Sequence, residues 1–264
     1  MLLDYHMHTP LCKHAEGAPE EYAQRAVDVG LGEIGFSDHS PMPAHYDPDW
    51  RMSVEEFPGY VESVLRVREE FPQLVVRLGL EADYFPGTED FVYNVTGEFD
   101  FDYVIGSVHY IDDWGFDNAA NKARFESCDL YEVYAQYFDR VARLAKTRLF
   151  DILGHPDVVK KFGFRPDRAY DDLLRGALEA VKAAGMALDV NTSGLRYPCR
   201  EIYPSRRMLE MAREMEIPVT LGADAHKAEH VGAGFDEAVK LLRSVGYSTL
   251  ARYEARRAES VPLG

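Results

Sequence analysis

Short apolar runs of strand length alternate with longer stretches of helical period along the whole chain. The runs predict strands over residues 2–5, 32–36, 74–80, 101–108, 149–153, 186–190 and 217–221. Apolar positions recurring every three or four residues predict helices over 20–29, 54–70, 129–146, 170–184, 206–215 and 235–245. Gly30 and Gly185 follow two of these helices as natural stops. Strands alternating with helices argue for a parallel sheet. Seven such units predict an α/β fold closed into a TIM-like barrel of seven strands, with an open doubly wound sheet as the alternative. No glycine-rich phosphate fingerprint follows any predicted strand, so a nucleotide-binding fold is not indicated.

Composition narrows the classes. The 264 residues are close to the ~250 typical of one α/β barrel, so residues 1–264 are expected to form a single domain. No apolar run reaches the ~18–20 residues that span a bilayer. The charge sum of −16 opposes binding to nucleic acid or an anionic membrane, while leaving room for a local basic pocket. Cys12, Cys128 and Cys199 are too few and scattered for a disulfide framework, and MLLDYHMHT lacks the features of a signal peptide. A cytoplasmic protein is expected, with homo-oligomerisation left open.

The chemistry lies at the predicted strand ends. In order, the strands end in His6-Met7-His8, Ser37-Asp38-His39, Glu81-Ala82-Asp83, Ser107-Val108-His109, Gly154-His155-Pro156, Asn191-Thr192-Ser193 and Asp224-Ala225-His226. In a parallel barrel these ends share one face, where barrel enzymes place their sites. Residues i and i+2 of a strand point to the same side, so His6 and His8 can address one metal, as can Asp224 and His226. His14 can swing back from the following loop. Seven of the nine histidines, with Glu81 and Asp224, make nine candidate ligands. A single metal needs only three or four ligands, so two or three metals are expected. Imidazole and carboxylate donors suit zinc, iron or manganese. Asp38 and Asp83 are expected to orient neighbouring ligands. His45 and His230 fall outside the pattern, and Cys12 is read as a bystander.

Together with Gly79-Leu80-Glu81, Gly154-His155-Pro156-Asp157 and Asn191-Thr192-Ser193-Gly194-Leu195, these motifs give the whole chain a specific resemblance. It resembles the PHP (polymerase and histidinol phosphatase) metallohydrolases, and within them the histidinol-phosphatases. The resemblance implies a distorted (β/α)7 barrel holding three divalent metals. It implies His6, His8, Glu81 and Asp224 at the first metal, and Glu81, His109 and His155 at the second. His14, His39 and His226 would hold the third. All nine positions are intact. Ala223 stands where serine is common in the family, with little expected effect.

The implied activity is a phosphoric monoester hydrolase that converts L-histidinol phosphate to L-histidinol and phosphate in histidine biosynthesis. In-line attack by a metal-bridging water is expected, with Glu81 as the bridge and Asp224 or His226 relaying a proton to the leaving group. Phosphate recognition also calls for a cation. Arg196 is the first candidate and Lys161 the second, with Arg165 and Arg124 behind them. The segments 45–51 and 110–117 have the carboxylates and aromatics suited to the ammonium and imidazole of the substrate. A PHP phosphodiesterase acting on nucleotides or other small phosphate esters is the main alternative. An amidohydrolase is disfavoured because strand four ends in His109 and not in a bridging lysine. A non-enzymatic metal-binding barrel is disfavoured because no ligand is lost.

Overall fold

The computed structural model describes residues 2–43 and 45–264. Among the described residues eleven strands occur in chain order. They are β1 (Leu3–Asp4), β2 (Glu33–Phe36), β3 (Val75–Asp83), β4 (Tyr103–Ser107), β5 (Tyr110–Ile111), β6 (Trp114–Gly115), β7 (Ile152–Leu153), β8 (Ala187–Asn191), β9 (Val219–Gly222), β10 (Thr249–Glu254) and β11 (Arg257–Pro262). The helices are α1 (Pro19–Asp28), α2 (Phe57–Glu70), α3 (Glu89–Thr96), α4 (Leu130–Thr147), α5 (Asp171–Ala184), α6 (Arg206–Glu214) and α7 (Phe235–Val245).

Seven strands pair in parallel in the order β1-β2-β3-β4-β7-β8-β9. Tyr5 N donates to Leu221 O (2.9 Å) and His8 N to Ala225 O (2.9 Å), so the two edge strands meet and the sheet closes. The doubly wound alternative is thereby excluded. Closure also removes exposed strand edges. Every predicted barrel strand is present. β3 runs past its predicted end through Glu81 to Asp83, which carries both carboxylates into the sheet. α2 starts at Phe57 and not at 54, with Pro58 in its first turn, where a missing N–H breaks no helical bond. Gly30 (φ 77°) and Gly185 (φ 77°) adopt the left-handed conformation just past α1 and α5.

Side chains fill the barrel. The Tyr103 ring lies so close to Gly35 and Gly79 that a Cβ at either would collide with it, and its hydroxyl donates to Tyr5 O (2.7 Å). The β10–β11 hairpin covers the lower end. Tyr253 N donates to the Tyr5 hydroxyl (3.1 Å), and Arg252 and Arg77 both bind the buried Glu33 carboxylate (2.5 and 2.8 Å). The barrel is therefore plugged at its N-terminal end and open at the end where the strand-end motifs lie. The sequence pattern did not predict α3, the β5–β6 ribbon or this hairpin. The hairpin turns on Ala255 (φ 48°) and Arg256 (φ 63°), two non-glycine residues at positive φ, so the usual Asn-Gly or Asp-Gly signal is missing.

Candidate metal centre

Each barrel strand delivers its chemistry at or just past its C-terminal end. His6 and His8 follow β1, and His39 follows β2 and forms a parallel bridge with Glu81. His109 and His155 lie two residues past β4 and β7, and Asp224 and His226 follow β9. His14 returns from the loop after the turn Pro10–Cys12. All nine predicted ligands meet here. Seven of them line an open cavity of about 360 Å³, while His6 and His8 lie fully buried beneath it. His45 and His230 do not line it.

The Glu81 carboxylate divides the centre. Its Oε2 faces His6 Nε2 (3.3 Å), His8 Nε2 (3.5 Å) and His39 Nδ1 (3.1 Å). Its Oε1 faces His155 Nε2 (3.0 Å) and His109 Nε2 (3.7 Å), and accepts the Ser107 hydroxyl (2.6 Å). Asp224 Oδ1 stands 3.3 Å from His8 Nε2. A third group joins His14, His39 and His226, with Nε2 atoms of His14 and His226 2.9 Å apart. Donors about 2.1 Å from a tetrahedral ion are about 3.4 Å from one another, which matches the His6–His8–Glu81–Asp224 spacing. His6 Nε2, His8 Nε2 and Glu81 Oε2 are buried without a hydrogen-bond partner among the described residues. Such atoms are costly unless a cation answers them. The donor set therefore fits divalent metal. Cys12 is also within reach of His8 and His226.

Hydrogen bonds on the outer ring nitrogens orient the imidazoles. His6 Nδ1 contacts Asp189 (2.7 Å), His8 Nδ1 contacts Asp38 (3.3 Å) and His109 Nδ1 contacts Asp83 (2.5 Å). The Nδ1 atoms of His14 and His226 contact the carbonyls of Cys12 (2.7 Å) and Asp224 (3.2 Å). In each case Nε2 is left pointing inward. Asp38 and Asp83 have the expected place, whereas Asp189 was missed. Its signal was the Asp189-Val190-Asn191 spacing, which puts both polar side chains on one face of β8, where Asn191 donates to Asp189 (2.9 Å). Gly222 leaves room for this contact, because a Cβ there would strike the Asp189 carboxylate and His6. His155 (φ 24°) and Asp224 (φ 51°) sit at positive φ, strain that functional sites commonly carry. Asp189→Ala is expected to weaken metal binding about 10- to 100-fold by chelator competition, and unchanged affinity would remove Asp189 from this role.

The charges are coupled. Burial would raise Glu81 and Asp224, but the surrounding imidazoles hold both well below the usual carboxylate range. Burial would lower His6 and His8, but Glu81, Asp224 and the aspartates behind them hold both well above the usual imidazole value. Against the same burial effect, Asp83 lifts His109 to about 9. Burial and neighbouring imidazoles push His14, His39 and His226 down, which keeps their lone pairs available near neutral pH.

The predicted cations separate. Lys161 lines the cavity, but Arg196 does not; its guanidinium turns to the carbonyls of Ala223 (2.7 Å) and Asp224 (3.0 Å). Arg165 pairs with Glu201 (2.6 Å), and Arg124 lies over Trp114, both away from the cavity. Arg51 does line it, bound to Asp83 (2.5 Å), and had not been singled out as a cation. Asp47 and Trp50 from one predicted segment, and Tyr110 and Asp117 from the other, form the mouth.

The sequence profile of the PHP domain matches residues 4–193, and a PHP-associated profile matches residues 204–238. A curated protein of Deinococcus radiodurans named "Probable histidinol-phosphatase" is 50% identical over 251 residues, covering 94% of this chain and 95% of that protein. The histidinol-phosphatase of Bacillus subtilis is 30% identical, covering 88% of this chain and 96% of its own. Among solved structures, the histidinol phosphate phosphatase of Lactococcus lactis subsp. lactis, complexed with zinc, L-histidinol and phosphate, has the same fold. Its TM-score is 0.85 at 22% identity, over 98% of each chain.

Proposed function

The chain belongs to the PHP family, and from that premise we propose that it hydrolyses L-histidinol phosphate to L-histidinol and inorganic phosphate. The observation that carries this proposal is the Glu81 carboxylate at the open end of the barrel, with Oε2 facing His6, His8 and His39 and Oε1 facing His155 and His109. The curated relatives, matched over nearly their whole length, supply the substrate. The whole chain, 1–264, is read as one catalytic unit. Among the described residues no helix is long and apolar enough to cross a membrane.

His6, His8, Glu81 and Asp224 would hold one metal. Glu81, His109 and His155 would hold a second, and His14, His39 and His226 a third, each being zinc, iron or manganese. Bound metals supply Lewis acidity, which lowers the pKa of water from 15.7 towards ~7 and offsets phosphoryl charge. Glu81 keeps the two deeper donor clusters in register through Oε1 and Oε2. Asp38, Asp83 and Asp189 hold the imidazoles in one tautomer. Asp224 and His226, in contact at 3.4 Å, are assigned the return of a proton to the departing alkoxide oxygen. Lys161 is favoured over Arg196 as the phosphate cation because it faces the cavity. Arg196 is assigned the task of holding the Ala223–Asp224 backbone in place.

The test is phosphate release from L-histidinol phosphate beside p-nitrophenyl phosphate and bis(p-nitrophenyl) phosphate, with metals counted per chain. A kcat/KM at least about a hundredfold higher for L-histidinol phosphate is expected, as several charged and aromatic contacts would each contribute about tenfold. Faster diester hydrolysis would replace the substrate with a nucleotide-like ester.

A further inference from the structure

We infer that Ser107 is a positioning residue for the bridging carboxylate: its hydroxyl fixes Glu81 Oε1, so that the two oxygens stay divided between the two clusters. This rests on the bridging role proposed above and names the group that maintains it. Ser107 is the last residue of β4, in register with Asp83 on β3. It is fully buried, and its hydroxyl lies 2.6 Å from Glu81 Oε1. The surrounding imidazoles hold Glu81 ionised, so the carboxylate can only accept and the hydroxyl donates. A bond of this length to an ionised oxygen belongs to the strong, charge-assisted kind. Oε2 has no hydrogen-bond partner among the described residues.

The other hydroxyls near the centre are placed differently. Ser37 and Ser40, on either side of Asp38-His39, have buried hydroxyls without a partner among the described residues. Ser193 Oγ has two acceptors, Asn191 Oδ1 (2.6 Å) and Asp224 Oδ2 (3.1 Å), and a single proton to give. Among the described residues, only Ser107 gives its proton undivided to a candidate ligand.

Two features hold the hydroxyl on its acceptor. The Ser107 carbonyl accepts Tyr84 N (2.8 Å), which fixes the backbone at this point. Gly154, just past β7, supplies the space, because a Cβ there would collide with the Ser107 hydroxyl and crowd Ile105. Gly154 does not have a positive φ, so this position uses the missing Cβ and not the conformational freedom of glycine. The consequence is chemical as well as geometric. A carboxylate free to rotate can turn both oxygens to one cation and abandon the other. With Oε1 tied to Ser107, that turn leaves a buried hydroxyl unsatisfied, which is costly. The donated bond also draws charge from Oε1, leaving Oε2 the stronger donor towards His6 and His8.

The test is stepwise removal of manganese from the manganese-loaded enzyme by a chelator, followed by EPR, which separates coupled from isolated Mn(II). Ser107→Ala is expected to lose one ion of the coupled pair at about ten- to a hundredfold lower chelator concentration, leaving an isolated signal. Turnover of p-nitrophenyl phosphate should fall in kcat more than in KM and recover with excess manganese. Gly154→Ala displaces the hydroxyl without removing it and should behave like Ser107→Ala. The double variant should be no worse than either, because without the hydroxyl the added methyl meets only Ile105. Loss of all ions alike without recovery on added manganese would mean a packing role and overturn the inference. Unchanged manganese retention, or additive losses in the double variant, would overturn it too. An unaltered enzyme with no coupled pair would remove the bridge and this inference with it. Failure to prefer L-histidinol phosphate, with the pair intact and weakened by Ser107→Ala, would sink the substrate proposal and leave this inference standing.

Discussion

Glu81→Gln is expected to lower kcat/KM on L-histidinol phosphate by about a thousandfold or more and to reduce the metals retained per chain. The amide preserves size and packing but not charge. Oε2 lies within 3.5 Å of His6, His8 and His39, and Oε1 lies 3.0 Å from His155, so an amide –NH2 would confront imidazole donors on one side or the other. The remaining cluster would keep its histidines without the anion that links them. Loss of transition-state charge stabilisation of about 4 kcal/mol corresponds to that rate factor. Circular dichroism and metal analysis of the same preparation separate this from misfolding. Near-normal turnover with full metal content would end the bridging role of Glu81.

Exhaustive chelation is expected to abolish turnover and lower Tm by on the order of 10 °C, with recovery on adding zinc or manganese. Metal at about a thousand times its Kd stabilises by about 4 kcal/mol, and each kcal/mol moves Tm by about 2–4 °C in a chain near this size. Removal leaves His6 Nε2, His8 Nε2 and Glu81 Oε2 buried without hydrogen-bond partners. Metal uptake should also release protons. His6 and His8 are held well above their usual value and His109 at about 9, so each is protonated at neutral pH and loses its proton on ligation. Affinity should therefore rise with pH through neutrality towards 9, measured by titration in weak buffer. Full activity after verified metal removal would sink the metal centre itself.

The site was legible to the extent that local spacing carries information. HxH after the first strand, Asp-x-His after the last and a glutamate on the third single out candidate ligands, because strand period and barrel topology place them on one face. Asp189 was harder to find. A lone aspartate inside an apolar strand names no partner, and the one it has, His6, lies 183 positions away in sequence. A place past a strand end, which Arg196 and Lys161 share, does not say whether a long side chain turns to the cavity or back to the chain. Arg196 turns back to two carbonyls. The β10–β11 hairpin escaped notice because Ala255-Arg256 makes its turn without glycine or asparagine.

By itself the sequence determined the alternation of strands and helices, the parallel sheet, the end of the barrel that carries the chemistry and the nine residues able to ligate. These follow from periods of two and 3.6 residues and from donor chemistry, both properties of short stretches. Only the tertiary structure decided that the sheet closes, that each Glu81 oxygen faces a different cluster and that the Ser107 hydroxyl meets one of them. Those outcomes depend on register and packing between segments far apart in the chain, where one residue of slip or one rotamer changes which atoms meet.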